Sequence, residues 1–220
     1  MKSNGDKGPD TRARLLEAAG EVFALHGYRT ATVREISKHA NANVAAVNYH
    51  FRDKEGLYVA VLEQTLRSAV QKYPPDLGLS ENATVEERLH TFVRSFLLRV
   101  LDEGRPAWHG KLMAREIIEP TAALDRIVDG VFRPLHERLI SIVREFLGDG
   151  ADDWSVRLCV LSIIGQCLFY HHSRHVILRL YPLKFDPEEI EHLAEHITRF
   201  SLGAMRELLK EGQVRCTSSH

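Results

Sequence analysis

Cysteine is scarce in this chain, charge of one sign is not in excess, and no stretch is apolar for long enough to cross a bilayer. Three cysteines among 220 residues (Cys159, Cys167 and Cys216) cannot form a paired framework. That excludes a disulfide-stapled secreted scaffold and points to reduced thiols in a cytoplasm. The longest apolar stretch, residues 158–170, is broken by Ser162, Gly165 and Gln166, and it falls short of the ~20 residues a spanning helix needs. The opening MKSNGDKGPD lacks the apolar run of a signal peptide and reads as a disordered arm over residues 1–10. Lys and Arg number 29 against 30 Asp and Glu, for a net charge of −1. Nucleic acid would therefore have to be met by placed side chains and helix N-termini, not by a basic field. Residues 1–56, with nine Lys/Arg and seven Asp/Glu, are only mildly positive. Strand-type alternation, internal repeats, Cys-x-x-Cys pairs, glycine-rich phosphate loops and nucleophile triads are absent from the sequence.

What is present is helical periodicity from end to end. Leu15, Ala18, Ala19, Val22 and Phe23 recur at helical spacing, and Gly27 ends that helix. Asp53 caps a longer helix through Leu57, Val61, Leu62 and Leu66, which Pro74-Pro75 stops. Thr84-x-x-Glu87 is a capping box that opens a helix through Leu89, Val93 and Leu97. Gly104-Arg105-Pro106 breaks the chain before a shorter helix near Trp108. An apolar stripe follows from Leu124 to Phe146, with Pro134 as a kink. Two long helices are expected to close the chain, over residues 153–180 and 187–211. The fold class is all-α: a three-helix N-terminal domain over residues 11–52, then about six longer helices over 53–212, and a frayed tail at 213–220.

The segment TVREISKHANANVAAVNYHFRDK, residues 32–54, holds the functional signal. Thr32 with Glu35 reads as a capping box, with the carboxylate reaching back to the cap. Ile36 and Ala40 form an inner face. Asn41-Ala42-Asn43 makes the turn, Asn being tolerant of left-handed backbone angles. Asn43 then caps a helix of under two turns that ends near His50. This is a helix-turn-helix, the unit that lays its second helix in a DNA major groove.

With Phe23, Gly27, Tyr28, the run Thr32-Val33-Arg34-Glu35-Ile36, then Val47-Asn48-Tyr49-His50-Phe51 and Asp53-Lys54-Glu55, the chain resembles TetR-family transcriptional regulators over residues 11–62. Two later segments, AREIIEPTAALDRIV and LCVLSIIGQCLFY, are similar to the C-terminal domain of a CecR-like subgroup. The resemblance implies a homodimer on a palindromic operator, with a small-molecule effector bound in the C-terminal domain and repression more usual than activation. Asn41 stands where a turn glycine is common, Ala45 and Ala46 where Gly and Thr are frequent, and Asn48 where Tyr is frequent. These departures imply a different operator.

On the short second helix, Val47 and Phe51 point inward, while Ala45, Asn48 and Tyr49 point outward with Val44 and Ala46 at the edges. Asn48 suits adenine, and Val44, Ala45 or Ala46 suit thymine methyls. Arg34 occupies a family position that reaches a base edge. Thr32, Tyr49, His50 and Lys54 are placed for phosphates, and Asn43 stands at the helix start that faces the duplex. For Tyr49 the alternative is packing against the first helix, and for His50 a role between domains.

In the larger half, the helix over residues 159–169 is apolar nearly all round. It pairs in expectation with the last helix to make a dimer interface through Cys159, Ile163, Gly165, Cys167, Ile197, Phe200, Gly203 and Ala204. A core of one subunit would also explain the pattern. The effector candidates are Trp108, His109, Met113, Arg115, Glu116, His136, Gln166, Phe169 and His172, though packing or an internal ion pair is the plainer role for each taken singly. No cofactor or metal is expected, nor a membrane partner. Two rivals remain. A metal-dependent helical bundle finds a foothold in Glu87-x-x-His90 and Glu189-x-x-His192, with His192 and His196 spaced for surface zinc. A helical carrier of apolar ligands would have an eroded DNA-facing surface, whereas Thr32, Arg34, Asn48, Tyr49 and Lys54 remain polar.

Overall fold

The computed structural model describes residues 9–102, 104, 106–148 and 150–217, and all regular structure among them is helical. The segments are α1 (Pro9–Thr30), α2 (Val33–His39), α3 (Val44–Phe51), α4 (Lys54–Lys72), α5 (Val85–Leu101), α6 (Ala107–Ile118), α7 (Ala123–Ile127), a π-helical turn (Val128–Phe132), α8 (Arg133–Leu147), α9 (Asp153–His172), α10 (Arg174–Leu180) and α11 (Pro187–Thr217). The arm expected over residues 1–10 lies outside the described residues, except that Pro9 and Asp10 open α1.

Most boundaries follow from local chemistry. Gly27 leaves helical geometry at φ 79°, a left-handed angle that costs glycine little, and it kinks α1 where the sequence ends it. At α5 both halves of the capping box form: Glu87 N–H donates to Thr84 Oγ1 at 3.2 Å, and Thr84 N–H donates to the Glu87 carboxylate at 2.7 Å. Those bonds hold the Glu87 carboxyl below its ordinary pKa. Pro134 has no N–H, and its ring opposes the carbonyl four residues back, at Gly130. The helix widens into the π turn directly before it, which relieves that conflict without ending the helix.

Two boundaries differ from expectation. The helix expected over 153–180 breaks at Ser173 (φ −94°, ψ 10°), whose carbonyl accepts from Val176 and Ile177 N–H to start α10. The last helix continues to Thr217, past residue 211, so the segment expected to fray from 213 is helical as far as Thr217; residues 218–220 lie outside the description.

The chain divides into two compact units, one formed by residues up to Ser68 with 103–133, the other by 69–102 with everything from Pro134. In unit 1, Leu15, Ala19 and Phe23 of α1 meet Ile36, Val47, Leu57, Tyr58, Leu62, Leu112 and Ile127 in one buried cluster. Each large apolar side chain buried there contributes about 1.5–3 kcal/mol. In unit 2, Leu89, Phe92, Val93 and Leu97 of α5 pack with Leu139 and Val143 of α8, Val160 and Ile163 of α9, and Ala194 and Ile197 of α11. Arg99 is buried here. It donates to the Tyr73 carbonyl and to Ser95 Oγ, both at 2.7 Å, and burial pulls its guanidinium down to about 10.

Candidate nucleic-acid interface

The reading head is built from three short-range devices. Thr32 sits in extended geometry before α2, and its Oγ1 accepts from Glu35 N–H at 3.2 Å. The reciprocal half of the expected box does not form, because the Glu35 carboxylate lies 3.3 Å from His26 Nε2 and so ties α2 to α1. A second tie joins His39 of α2 to Glu21 of α1 at 2.7 Å. The turn then reverses at Asn41, φ 48°, with Ala42 N–H donating to the Ser37 carbonyl at 2.9 Å. Asn43 Oδ1 accepts from Ala45 N–H at 2.8 Å and starts α3, a cap worth about 1 kcal/mol.

Packing then fixes which side of α3 faces out. Val47 and Phe51 are buried beneath it, against Ile36 and α1. Val44, Ala45, Asn48 and Tyr49 are exposed, Tyr49 to 70%, while Ala46 and His50 are half-buried. Tyr49 is thus not packed into the core, and its ring meets the edge of the His50 ring at 4.9 Å. The aromatic that does pack inside is Tyr28, whose ring lies 4.8 Å from Tyr58. Thr32 and Arg34 are exposed on α2 and before it. Lys54 is less free than expected. Its Nζ donates to the Arg29 carbonyl at 3.2 Å and lies 4.8 Å from the centroid of the Tyr28 ring, which leaves its other donors for a phosphate.

Sequence reasoning missed two basic side chains at this end of α3. Arg52, exposed, follows the helix at φ 75°, an angle rare for a residue with a Cβ. Arg12 places its guanidinium 5.4 Å from the Phe51 ring centroid. The only hint in sequence was a basic residue directly before the Asp53 cap. The start of α4 closes tightly on α3: a Cβ at Gly56 would sit 2.1 Å from the Phe51 carbonyl oxygen. Asp53 Oδ1 accepts from Gly56 N–H at 2.7 Å.

The nine effector candidates divide between the two units. Five are in unit 1 and serve its packing. The Trp108 indole lies over Gly20 of α1, leaving no room for a Cβ there, and its Nε1 donates to Glu17 at 2.9 Å. His109 stacks edge-on against Trp108, Met113 packs on the core, and Arg115 lies against Gly27. Glu116 is fully buried and accepts from Tyr58 Oη at 2.8 Å and from Thr121 N–H at 2.9 Å. Burial and that bond to Glu116 raise the Tyr58 pKa above its ordinary value. The other four are in unit 2: His136 is half-buried, Phe169 and His172 are exposed, and Gln166 donates to Ser201 Oγ of α11 at 3.3 Å.

The expected dimer residues divide as well. Ile163, Cys167 and Ile197 belong to the core of their own chain, so they present no surface to a partner. Burial also pushes the Cys167 thiol up to about 12. Gly165, Phe200, Gly203 and Ala204 are exposed, and Cys159 is half-buried. Exposed beside them on α9, and not anticipated in that role, are Leu158, Leu161 and Phe169. The two Glu-x-x-His motifs have a capping explanation: Glu87 completes its box, and Glu189 accepts from the Lys184 and Phe185 backbone at 2.6 and 2.7 Å. No helix among the described residues is long and apolar enough to cross a membrane.

Known proteins share this arrangement. Residues 15–61 match the profile of bacterial regulatory proteins of the tetR family, and residues 85–205 match that of the C-terminal domain of the HTH-type transcriptional dual regulator CecR. The chain is 27% identical to CecR of Shigella flexneri over 87% of this chain and 90% of that one. It is 30% identical to the transcriptional repressor NicS of Pseudomonas putida over 90% and 92%. The fatty acid degradation regulator FadR of Bacillus halodurans, 20% identical, shares the fold at a TM-score of 0.64, covering 91% of this chain and 98% of that one. With a helix-turn-helix whose outer face stays open and a C-terminal match spanning more than half its length, the chain belongs to the TetR family of DNA-binding transcriptional regulators, in the group with a CecR-type C-terminal domain.

Proposed function

We propose that this regulator reads a palindromic operator as a homodimer, through the exposed face of α3. The observation that supports the reading is that face itself: Val44, Ala45, Asn48 and Tyr49 are held outward by a buried Val47–Phe51 edge, on a helix too short to be needed as core. Asn48 offers a bidentate pair to adenine, and Val44 and Ala45 offer apolar contact to thymine methyls. Arg34 reaches a neighbouring base edge. Thr32, Tyr49, His50, Lys54 and the missed Arg52 meet phosphates, and the backbone N–H groups after Asn43 point a positive helix end at the same backbone. Asn43 itself acts mainly by capping, since its Oδ1 is already occupied.

Dimerisation fits the outer sides of α9 and α11. Leu158, Leu161, Gly165 and Phe169 recur along one face of α9, and Phe200, Ala204 and Leu208 along one face of α11. The Gln166–Ser201 bond joins the helices where Gly165 and Phe200 adjoin it in sequence. Apolar side chains this exposed on two adjoining helices mark a protein contact. A two-fold pair also matches a palindrome. The protein acts in the cytoplasm and responds to a small-molecule effector, as a repressor like NicS. Selection of bound fragments from random duplex DNA tests this: a two-fold symmetric consensus is expected, and recovery of no shared sequence overturns it.

A further inference from the structure

Within unit 2 a groove of about 860 Å³ runs between the 78–83 loop, the first turns of α5 and one side of α11. None of the nine effector candidates lines it. Its volume is that of small-molecule sites in general. Most of its charge is already matched. Glu87 closes the capping box, and Glu86 faces Arg206 at 3.7 Å. Glu195 and Arg199 remain, both exposed and, among the described residues, without a hydrogen bond or ion pair. They stand one turn apart on α11, a spacing that puts Cβ atoms about 5–6 Å apart. One buried polar atom on a residue that lines the same groove also lacks a partner, Oγ1 of Thr198, a residue only 6% exposed. His90 is already matched by Glu191 at 3.1 Å. Buried polar atoms nearly always have partners, so the Thr198 hydroxyl points to a bound group.

We propose that this groove binds a small zwitterion of amino-acid type, its carboxylate on Arg199 and its ammonium on Glu195. Thr198 offers a further polar contact, and Leu79, Ala83 and Leu202 receive the apolar part of the ligand. A simple anion would leave Glu195 unmatched, and a simple cation would leave Arg199 unmatched; one open charge of each sign selects a molecule that has both. As an effector site the groove rests on the regulator reading, whereas the binding does not, so the two are measured separately.

The test titrates the full chain, without DNA, with the twenty amino acids and their glycyl dipeptides, using acetate and ethylamine as single-charge controls. At least one zwitterion is expected to bind, with its N-acetylated and C-amidated forms at least about ten-fold weaker. Arg199→Gln and Glu195→Gln should each weaken it by a similar factor, while Arg126→Gln, outside the groove, leaves it unchanged. Both groove positions are exposed, and melting curves verify that the variants fold. Binding by no zwitterion, or binding indifferent to both substitutions, overturns the site. If the zwitterion binds but leaves affinity for a selected operator unchanged, the site stands and its effector role falls.

Discussion

α3 and α9 each leave one side uncovered, and the chemistry they leave there is opposite. The eight-residue α3 buries Val47 and Phe51 and turns Asn48 and Tyr49 outward, with small side chains between them. The twenty-residue α9 buries Val156, Val160, Ile163 and Cys167 and turns Leu158, Leu161 and Phe169 outward. Neither surface is required by its own core. A polar edge with hydrogen-bonding amide and phenol suits base edges and phosphates, where apolar area matters less than placed donors. An apolar strip with glycine in it suits another helix, where burial of area drives association. One chain thus shows two kinds of unpartnered helix face, and the kind of side chain left outside indicates the kind of partner.

The largest effect is expected from breaking the apolar side. Leu161→Glu with Phe200→Glu should convert dimer to monomer in sedimentation, and affinity for a palindromic duplex should fall by about 10²-fold or more as two linked contacts become one. An unchanged dimer would move the interface elsewhere. On the polar side, Asn48→Ala should cost about 1–3 kcal/mol on the operator and relax one base position while leaving scrambled DNA nearly unaffected. Tyr58→Phe strikes the core of unit 1, on which α3 is packed. It removes a donor from the fully buried Glu116, so a stability loss of about 1–3 kcal/mol is expected in denaturant melts, with base preference retained. Because the folded Tyr58 pKa is raised, its contribution is complete below the unfolded value near ~10 and is lost as pH rises beyond it, towards the folded value. Wild type should therefore weaken more steeply than Tyr58→Phe in alkali. The smallest effect belongs to Lys54→Ala, which should weaken all duplexes a few-fold and flatten the salt dependence by about one unit.

How much of this was legible in sequence depended on the reach of each interaction. Caps and turns are set by neighbours, and Thr84–Glu87, Asn41 and Asn43 behave as their spacing predicts. Glu35 does not, because His26 on another helix offers its carboxylate a partner that spacing cannot reveal. The phase of α9 was hidden for a different reason: a helix apolar all round gives no polar stripe to mark its outside. Ile163 and Cys167 therefore read as partner-facing in sequence, whereas the structure buries them and leaves Leu158, Leu161 and Phe169 exposed on α9. Trp108 and Glu116 looked like ligand residues because polar and aromatic groups in a middle helix suggest a cavity. Their partners, Glu17 and Gly20 of α1 and Tyr58 of α4, are remote in sequence and become visible only in the packed unit.

In the proposed function the open face of α3, and not the charge of the chain, distinguishes one duplex from another. The most direct measurement replaces Val44, Asn48 and Tyr49 together by Ala and compares affinity for a selected duplex with affinity for its scrambled counterpart at fixed salt. The ratio should collapse towards one while the melting temperature stays close to that of wild type, since all three side chains are exposed. A variant that melts normally and keeps the wild-type ratio would place base reading outside the α3 face.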